Sequence, residues 1–131
     1  MAYTTTSVNK IRRIGNQFYA YLKTNSYSPN ILTSMNGSTW NPLNLDEPYS
    51  NYSCLEMAGS DSNILIAMRD PDNGNLVFVH SIDGETFTET ARYNIDVSSM
   101  TMYWIVDQFV IVIGSNLLFT VDGSNLRPAI S

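Results

Sequence analysis

Cys54 and His80 are the first residues to consider for chemistry, because thiolates and imidazoles serve as nucleophiles, general bases and metal ligands. Each is the only residue of its type in the chain. A lone cysteine excludes an intrachain disulfide, and one cysteine with one histidine falls short of the ligand set of a structural zinc site. Cys54 is therefore expected to be a buried thiol that packs as a small hydrophobe.

The acidic residues offer a second route to chemistry, because a pair of carboxyl groups can hydrolyse a glycosidic bond. The stretch DPDNGN at 70–75 resembles the start of a calcium loop, but it lacks the downstream bidentate glutamate and is typical of a hairpin turn. No catalytic residue, cofactor or metal site is predicted. The glutamates of the chain mostly fall in polar turns or in runs predicted to lie on the outside of the fold; they are Glu47, Glu56, Glu85 and Glu89.

The charge balance of the chain restricts its partners. Twelve acidic and seven basic residues give a formal net charge of −5, and the basic residues are spread along the chain. A nucleic-acid interface needs a concentrated basic patch, so none is predicted. No apolar run approaches a membrane span, and the start, MAYTTTSVNKIRR, lacks the apolar region of a signal peptide. We expect the protein to be made in the cytosol and not to insert into a membrane.

A polar heptapeptide occurs three times, as SMNGSTW at 34–40, SIDGETF at 81–87 and TVDGSNL at 120–126. Its third positions, Asn36, Asp83 and Asp122, lie 47 and 39 residues apart. These intervals are close to the length of a four-stranded propeller blade, about 40–50 residues. Asp or Asn can accept hydrogen bonds from the backbone that follows it, and glycine supplies the positive φ of a tight turn. The heptapeptide is therefore predicted to be a hairpin turn.

The segments around each heptapeptide follow one plan. Three strand-like runs precede it and a more polar run follows it, as SCLEMAG, NILIAMRD, NLVFVHSI and TFTETARY do around the second copy. No segment shows sustained helical periodicity. The 131 residues are thus predicted to form one all-β domain of three repeats, at about 8–45, 53–93 and 98–131. Each repeat is expected to fold as a four-stranded antiparallel sheet.

The heptapeptide resembles the Asp-box of BNR-repeat, or sialidase-type, β-propellers, usually Ser-x-Asp-x-Gly-x-Thr-Trp on the hairpin between the third and fourth strands of a blade. All three copies are one residue shorter between the acid and the glycine, which makes them a consistent variant. The resemblance spans the chain and implies a structural role for these positions at the periphery of a propeller. They are Ser34, Asn36, Gly37, Thr39 and Trp40; Ser81, Asp83, Gly84, Thr86 and Phe87; and Thr120, Asp122 and Gly123.

A sialidase-like activity is the enzymatic function that this family suggests. It requires an arginine triad, a tyrosine nucleophile with a glutamate base, and an Arg-Ile-Pro motif that opens the first blade. KIRRIG at 10–15 is the nearest segment, with Ile14-Gly15 where Ile-Pro is expected, and no arginine matches a triad position. The chain is predicted not to be an enzyme.

Three blades do not close a ring, because propellers use about four to eight. Open apolar blade faces favour association, so we expect a homo-oligomer, with a six-bladed dimer favoured because six is the sialidase blade number. A partner that supplies further blades, or a larger ring of subunits, would also complete the fold. A β-trefoil, which closes three four-stranded repeats as a monomer, is the alternative fold.

The linker NLDEPYSNYS at 44–53 is the best place for exposed aromatics, because Pro48 excludes a regular strand there. Its Tyr49 and Tyr52 are candidates for partner or glycan contacts. Small Asn/Ser/Thr-rich β proteins with shortened Asp-boxes are similar to bacteriophage virion components. The leading prediction is a non-enzymatic virion protein, structural or assembly-related, that binds itself or a larger viral protein. A carbohydrate-binding, lectin-like module is the alternative, and a sialidase-like hydrolase ranks third.

Overall fold

The computed structural model describes residues 8–22, 30–95, 97 and 100–128, apart from the side chains of Asn9 and Leu22. Positions 98–99 and 129–131 of the third predicted repeat lie outside the described residues. Within these ranges no helix is long and apolar enough to cross a membrane. The helical structure found there is a short 3₁₀ turn at Tyr49–Asn51.

Twelve strands form three four-stranded antiparallel sheets in the described residues, each with its strands in chain order. The first sheet contains β1 (Val8–Ile14), β2 (Gln17–Leu22), β3 (Ile31–Ser34) and β4 (Asn41–Pro42). The second contains β5 (Ser53–Ser60), β6 (Asn63–Arg69), β7 (Leu76–Ser81) and β8 (Thr88–Tyr93). The third contains β9 (Thr101–Ile105), β10 (Gln108–Ile113), β11 (Asn116–Thr120) and β12 (Arg127–Pro128). The predicted all-β class and sheet composition are confirmed.

The strand pairing decides between the two predicted folds. Each sheet closes its hydrogen bonds within one repeat, and no described strand pairs with a strand of another repeat. A β-trefoil needs strands of all three repeats in one barrel, so that alternative is wrong. The sheets instead stack face to face, as successive blades do, with β5 lying next to β1 and β2 on one side and next to β9 on the other.

Two apolar layers hold the stack together, one on each face of the second sheet. The first layer packs Ile14, Tyr19, Tyr21 and Ile31 against residues that include Met57 and Ile66. The second layer joins the second sheet to the third through a further set: Ala58, Leu65, Ala67, Leu76, Phe78, Val97, Met100, Met102, Phe109 and Ile111. Strand β6 is buried on both faces from Ile64 to Met68, which accounts for its continuous apolar run.

The third sheet is covered on one face only by the rest of the described chain. Along β10, Phe109 and Ile111 are buried while Val110 and Val112 are partly exposed. Strand β10 is therefore covered on one face, whereas β6 is covered on both. The short outer strands β4 and β12 are exposed, as their polar sequences indicated.

Candidate functional site: open sheet faces and a buried acid

The three heptapeptide turns satisfy their own polar groups. In the first, Ser34 Oγ accepts hydrogen bonds from the backbone N–H of Asn36 and Gly37, at 3.2 and 2.8 Å. Asn36 Oδ1 accepts from the N–H groups of Ser38 and Thr39, at 2.8 and 2.9 Å. Gly37 has φ of 79°, in the region that favours glycine. Because these side chains are engaged in the turn, they offer little to a ligand.

The second turn repeats the first, and the third keeps part of it. Asp83 Oδ1 accepts two backbone N–H bonds at 2.8 Å, from Glu85 and Thr86. Those bonds, that of Thr86 first, hold the pKa of Asp83 below its ordinary value. In the third turn, Thr120 Oγ1 accepts from the N–H of Gly123 at 2.9 Å.

The residue that ends each heptapeptide packs on one particular face of its sheet. Phe87 contacts the apolar layer between the first and second sheets, and Leu126 contacts the layer between the second and third. In both cases this is the face that receives the preceding sheet. Trp40 packs in the same way on Ala20 and Leu32 of the first sheet. We call the face with Ile11, Phe18, Ala20, Leu32 and Trp40 the receiving face.

The opposite end of the stack carries an exposed apolar surface. Residues directly paired across strands share a face, and the register places Tyr103 opposite Val110 and Val110 opposite Phe119. Tyr103, Ile105 and Leu117 are 46%, 49% and 38% exposed. We call this surface the donating face, and its members are Tyr103, Ile105, Val110, Val112, Leu117 and Phe119.

The turn between β9 and β10 extends the donating face and is strained. Val106 lies in this turn, is 88% exposed and has φ of 61°. A β-branched residue is strongly disfavoured in the left-handed region. Its counterpart in the first sheet is Gly15, with φ of 60°.

A buried carboxylate joins the inner edges of the three sheets. Glu56 on β5 is 0% exposed and forms ion pairs with Arg12 and, at 3.3 Å, with Lys10, both on β1. The Tyr21 hydroxyl donates to Glu56 at 3.1 Å, and the N–H of Met102 donates to it at 3.4 Å. The carboxylate therefore makes structural ion pairs and hydrogen bonds within the fold.

Two titratable groups beside Glu56 are held in their neutral forms. Burial, with the charge of Glu56 adding to it, raises the pKa of the Tyr21 hydroxyl. Burial also raises the pKa of the Cys54 thiol well above its ordinary value. Cys54 is therefore a buried, unreactive thiol, as expected from the sequence.

Sequence reasoning placed Glu56 among turn and outer-strand acids, and this placement is wrong. Glu56 lies on the innermost strand of the second sheet, where a register shift between Cys54 and Glu56 marks a β-bulge. The available signal was the single charge inside the apolar run SCLEMAG. A charged residue in such a run requires a buried partner.

Tyr52 is not the exposed aromatic that the linker composition predicted. It is 5% exposed, and its hydroxyl donates to Asp70 at 3.0 Å and accepts from Arg92 at 3.1 Å. The prediction fails because the linker turns inward: Asn30 Nδ2 donates to the carbonyls of Tyr49 and Tyr52, at 3.1 and 2.7 Å. Tyr49 is partly buried edge-on against Tyr52, with ring centroids 5.6 Å apart.

The two acids beside Tyr52 and Tyr49, Asp70 and Glu89, are also paired. Arg92 forms ion pairs with Asp70 at 2.8 Å and with Glu89 at 3.0 Å. Burial alone would raise the pKa of Asp70, but hydrogen bonds from the Asp72 N–H, Arg92 and Tyr52 outweigh it and hold that pKa below its ordinary value. In the described residues no group of three or more His, Cys, Asp or Glu side chains could hold a metal ion.

Comparison with known proteins gives the fold and no family. No family model matches the chain, and no curated protein matches it significantly. YCF48 bound to D1 peptide superposes with a TM-score of 0.67 at 16% identity, over 95% of this chain and 41% of that one. The bifunctional GH43-CE protein of Bacteroides eggerthii superposes with a TM-score of 0.64 at 14% identity, over 95% of this chain and 21% of that one. The chain spans well under half the length of either protein. Both are β-propeller proteins, and the chain has the fold of a partial β-propeller.

Proposed function

We propose that this protein is a non-enzymatic structural or assembly module that works by docking another protein against its open sheet faces. The donating face carries this proposal. Three of its six apolar side chains are more than a third exposed: Tyr103 and Ile105 lie two residues apart on β9, and Leu117 lies on β11 of the same face, with β10 between them. Contiguous apolar surface of this kind marks an interaction site.

The absence of enzymatic activity is part of the proposal and rests on how the acids are used. Glu56 is buried between Lys10, Arg12 and Tyr21, and Asp70 is tied to Arg92. Glycoside hydrolysis needs two carboxyl groups facing a cleft that a sugar can enter. The pairing of Glu56 and Asp70 leaves neither available for that role.

We further propose that the heptapeptide turns are shortened Asp-boxes of the BNR type and that the protein is a bacteriophage virion component. The repeated hydrogen bonding of Ser34 with Asn36 and of Ser81 with Asp83 supports the first statement. The second rests on the resemblance in composition and turn length. YCF48 bound to D1 peptide offers a parallel, since it is a propeller that holds a peptide.

Quantitative mass spectrometry of purified virus particles tests this proposal. The protein is expected in a fixed number of copies per particle, in step with known structural proteins across a density gradient. Its absence from the particles would remove the virion assignment. A carbohydrate-binding role depended on Tyr49 and Tyr52, and the burial of Tyr52 leaves no observation that favours it over docking.

A further inference from the structure

We infer that the partner on the donating face is the receiving face of a second copy of this chain, and that two copies close head to tail into a six-sheet ring. This inference rests on the proposed docking function and names the partner. The reasons are the repeat pattern of the faces, the number of sheets, the area and the charges at the rim.

The repeat pattern identifies the two complementary faces. Inside the chain, each junction pairs the face marked by a heptapeptide aromatic or leucine, Phe87 or Leu126, with the opposite face of the preceding sheet. Trp40 marks the corresponding face of the first sheet, where Ile11 is 55% exposed. The first sheet has no preceding sheet within the described chain, and the donating face of a third sheet has the surface that such a sheet would present to it. A second copy joined head to tail therefore repeats a contact that the chain already makes twice.

The number of sheets selects two copies. Propellers close with about four to eight blades, and copies of the three described sheets reach this range only as a pair. Head-to-tail association of two copies creates two equivalent junctions, so both faces of both chains are covered. Closure also removes the open end that would otherwise continue into a filament.

The area is sufficient for a stable pair. The 19 strand residues of the first sheet and the 18 of the third, at about 3.3 Å along and 4.8 Å between strands, cover roughly 300 Å² per face. Two faces per chain give about 600 Å², the lower end of the range per partner in stable complexes. One junction alone would supply only half of this, which favours the closed ring over an open pair.

The charges at the rim agree with head-to-tail packing. Between the first and second sheets, the turn at Gly15 and Asn16 meets the next turn through Asp61, which accepts the Asn16 N–H at 3.1 Å. The corresponding turn of the third sheet contains Val106 and the exposed Asp107. In the ring it would lie beside the first turn of the other copy, next to exposed Arg13. An acid on one side meets a base on the other.

The test measures the native mass of the full chain and of three single variants by analytical ultracentrifugation over a wide range of concentrations. Leu117→Glu places a charge on the donating face and Ile11→Glu places one on the receiving face. Both residues are already exposed, so the fold should survive, as circular dichroism would verify. Ile82→Glu is the matched control, because Ile82 is 72% exposed in the second heptapeptide turn, away from both faces.

The expected result is twice the 14.7 kDa chain mass for the wild type and for Ile82→Glu, and a single chain for each face variant. Mixing the two face variants should restore a pair weaker than the wild type, seen only at the highest concentrations, because a single intact junction remains. A single-chain wild type would overturn the second copy as partner and leave docking on another protein as the proposed function. A pair disrupted by Leu117→Glu but not by Ile11→Glu would overturn the head-to-tail arrangement alone. A pair that survives both substitutions would overturn the docking face and this inference together.

Discussion

Glu56 shows at the level of one residue how a buried charge can organise a β protein. Its carboxylate, on the second sheet, receives hydrogen bonds from two cations and a phenol of the first sheet and from a backbone N–H of the third. An isolated carboxylate would be expelled from such a site, so its stability depends on these partners. Removing the charge leaves Lys10 and Arg12 without their anion.

We expect Glu56→Gln to lower the free energy of unfolding by about 3–5 kcal/mol, the range found when one partner of a buried ion pair is removed. Glu85→Gln is the control, because Glu85 is exposed in a turn, and it should change stability by less than about 0.5 kcal/mol. Urea unfolding followed by circular dichroism measures both. Equal stability of the two variants would show that the ion cluster contributes nothing to the fold.

Val106 offers the opposite test, since its backbone is strained and its side chain is exposed. We expect Val106→Asn to raise the free energy of unfolding by about 0.5–1 kcal/mol, because asparagine tolerates the left-handed region far better. Val121→Asn is the control at a residue that is 67% exposed and has no positive φ. In thermal melts, the change in melting temperature should differ between the two variants in sign or size. Equal changes would show that the effect of Val106→Asn comes from the loss of exposed apolar surface and not from backbone strain.

At the scale of elements, the heptapeptide turn is a unit of backbone hydrogen bonding. Ser81 is 2% exposed, and its hydroxyl accepts the N–H groups of Asp83 and Gly84 while donating to the Asp83 carboxylate. Ser81→Ala leaves these donors without a partner and should cost about 1–2 kcal/mol. Ser38→Ala, at an exposed turn position, should be neutral in the same chemical denaturation experiment.

The charge of Asp83 gives the second turn a pH dependence that the first turn lacks. The pKa of Asp83 is lowered in the folded chain, so the ionised carboxylate stabilises the fold at pH values above its ordinary pKa of 3.8. This stabilisation is lost as the pH falls through the pKa of the folded chain. Asp83→Asn, which copies the first turn, should keep the hydrogen bonds and flatten the acid limb of the stability curve. Asp46→Asn, at an exposed linker residue, should leave that limb unchanged in unfolding experiments from pH 2 to 7. Equal curves for the wild type and Asp83→Asn would refute a role for this carboxylate.

The sequence allowed the elements to be predicted because their information is local. Strand runs, glycine turns and the spacing of Asn36, Asp83 and Asp122 all depend on neighbouring residues. The position of Glu56 and the burial of Tyr52 depend on contacts with Arg12 and Asn30, which are far away in the chain. The donating face was foreseen only as an open blade face, because its residues are set by the register of β9, β10 and β11.

At the scale of the whole molecule, burial decreases from the middle sheet to the ends. Strand β6 is covered on both faces, whereas β10 has one open face. In hydrogen exchange, we expect the amides of Ile64–Met68 to be the slowest and those of β4 and β12 to be among the fastest. Protection of β10 should rise with protein concentration if a partner copy covers it, while that of β6 should not. Uniform protection across the three sheets would contradict this gradient.

The Glu56 cluster also limits how this chain could grow or be rearranged. Glu56 lies five residues before the turn that joins the first two strands of its sheet. The residues at the same distance before the corresponding turns of the first and third sheets are Lys10 and Thr101, so the three repeats carry a base, an acid and a neutral residue in that order. Duplicating the middle repeat would bury a second carboxylate beside another acid instead of a base. The three repeats are therefore not interchangeable, and the fold depends on their order along the chain.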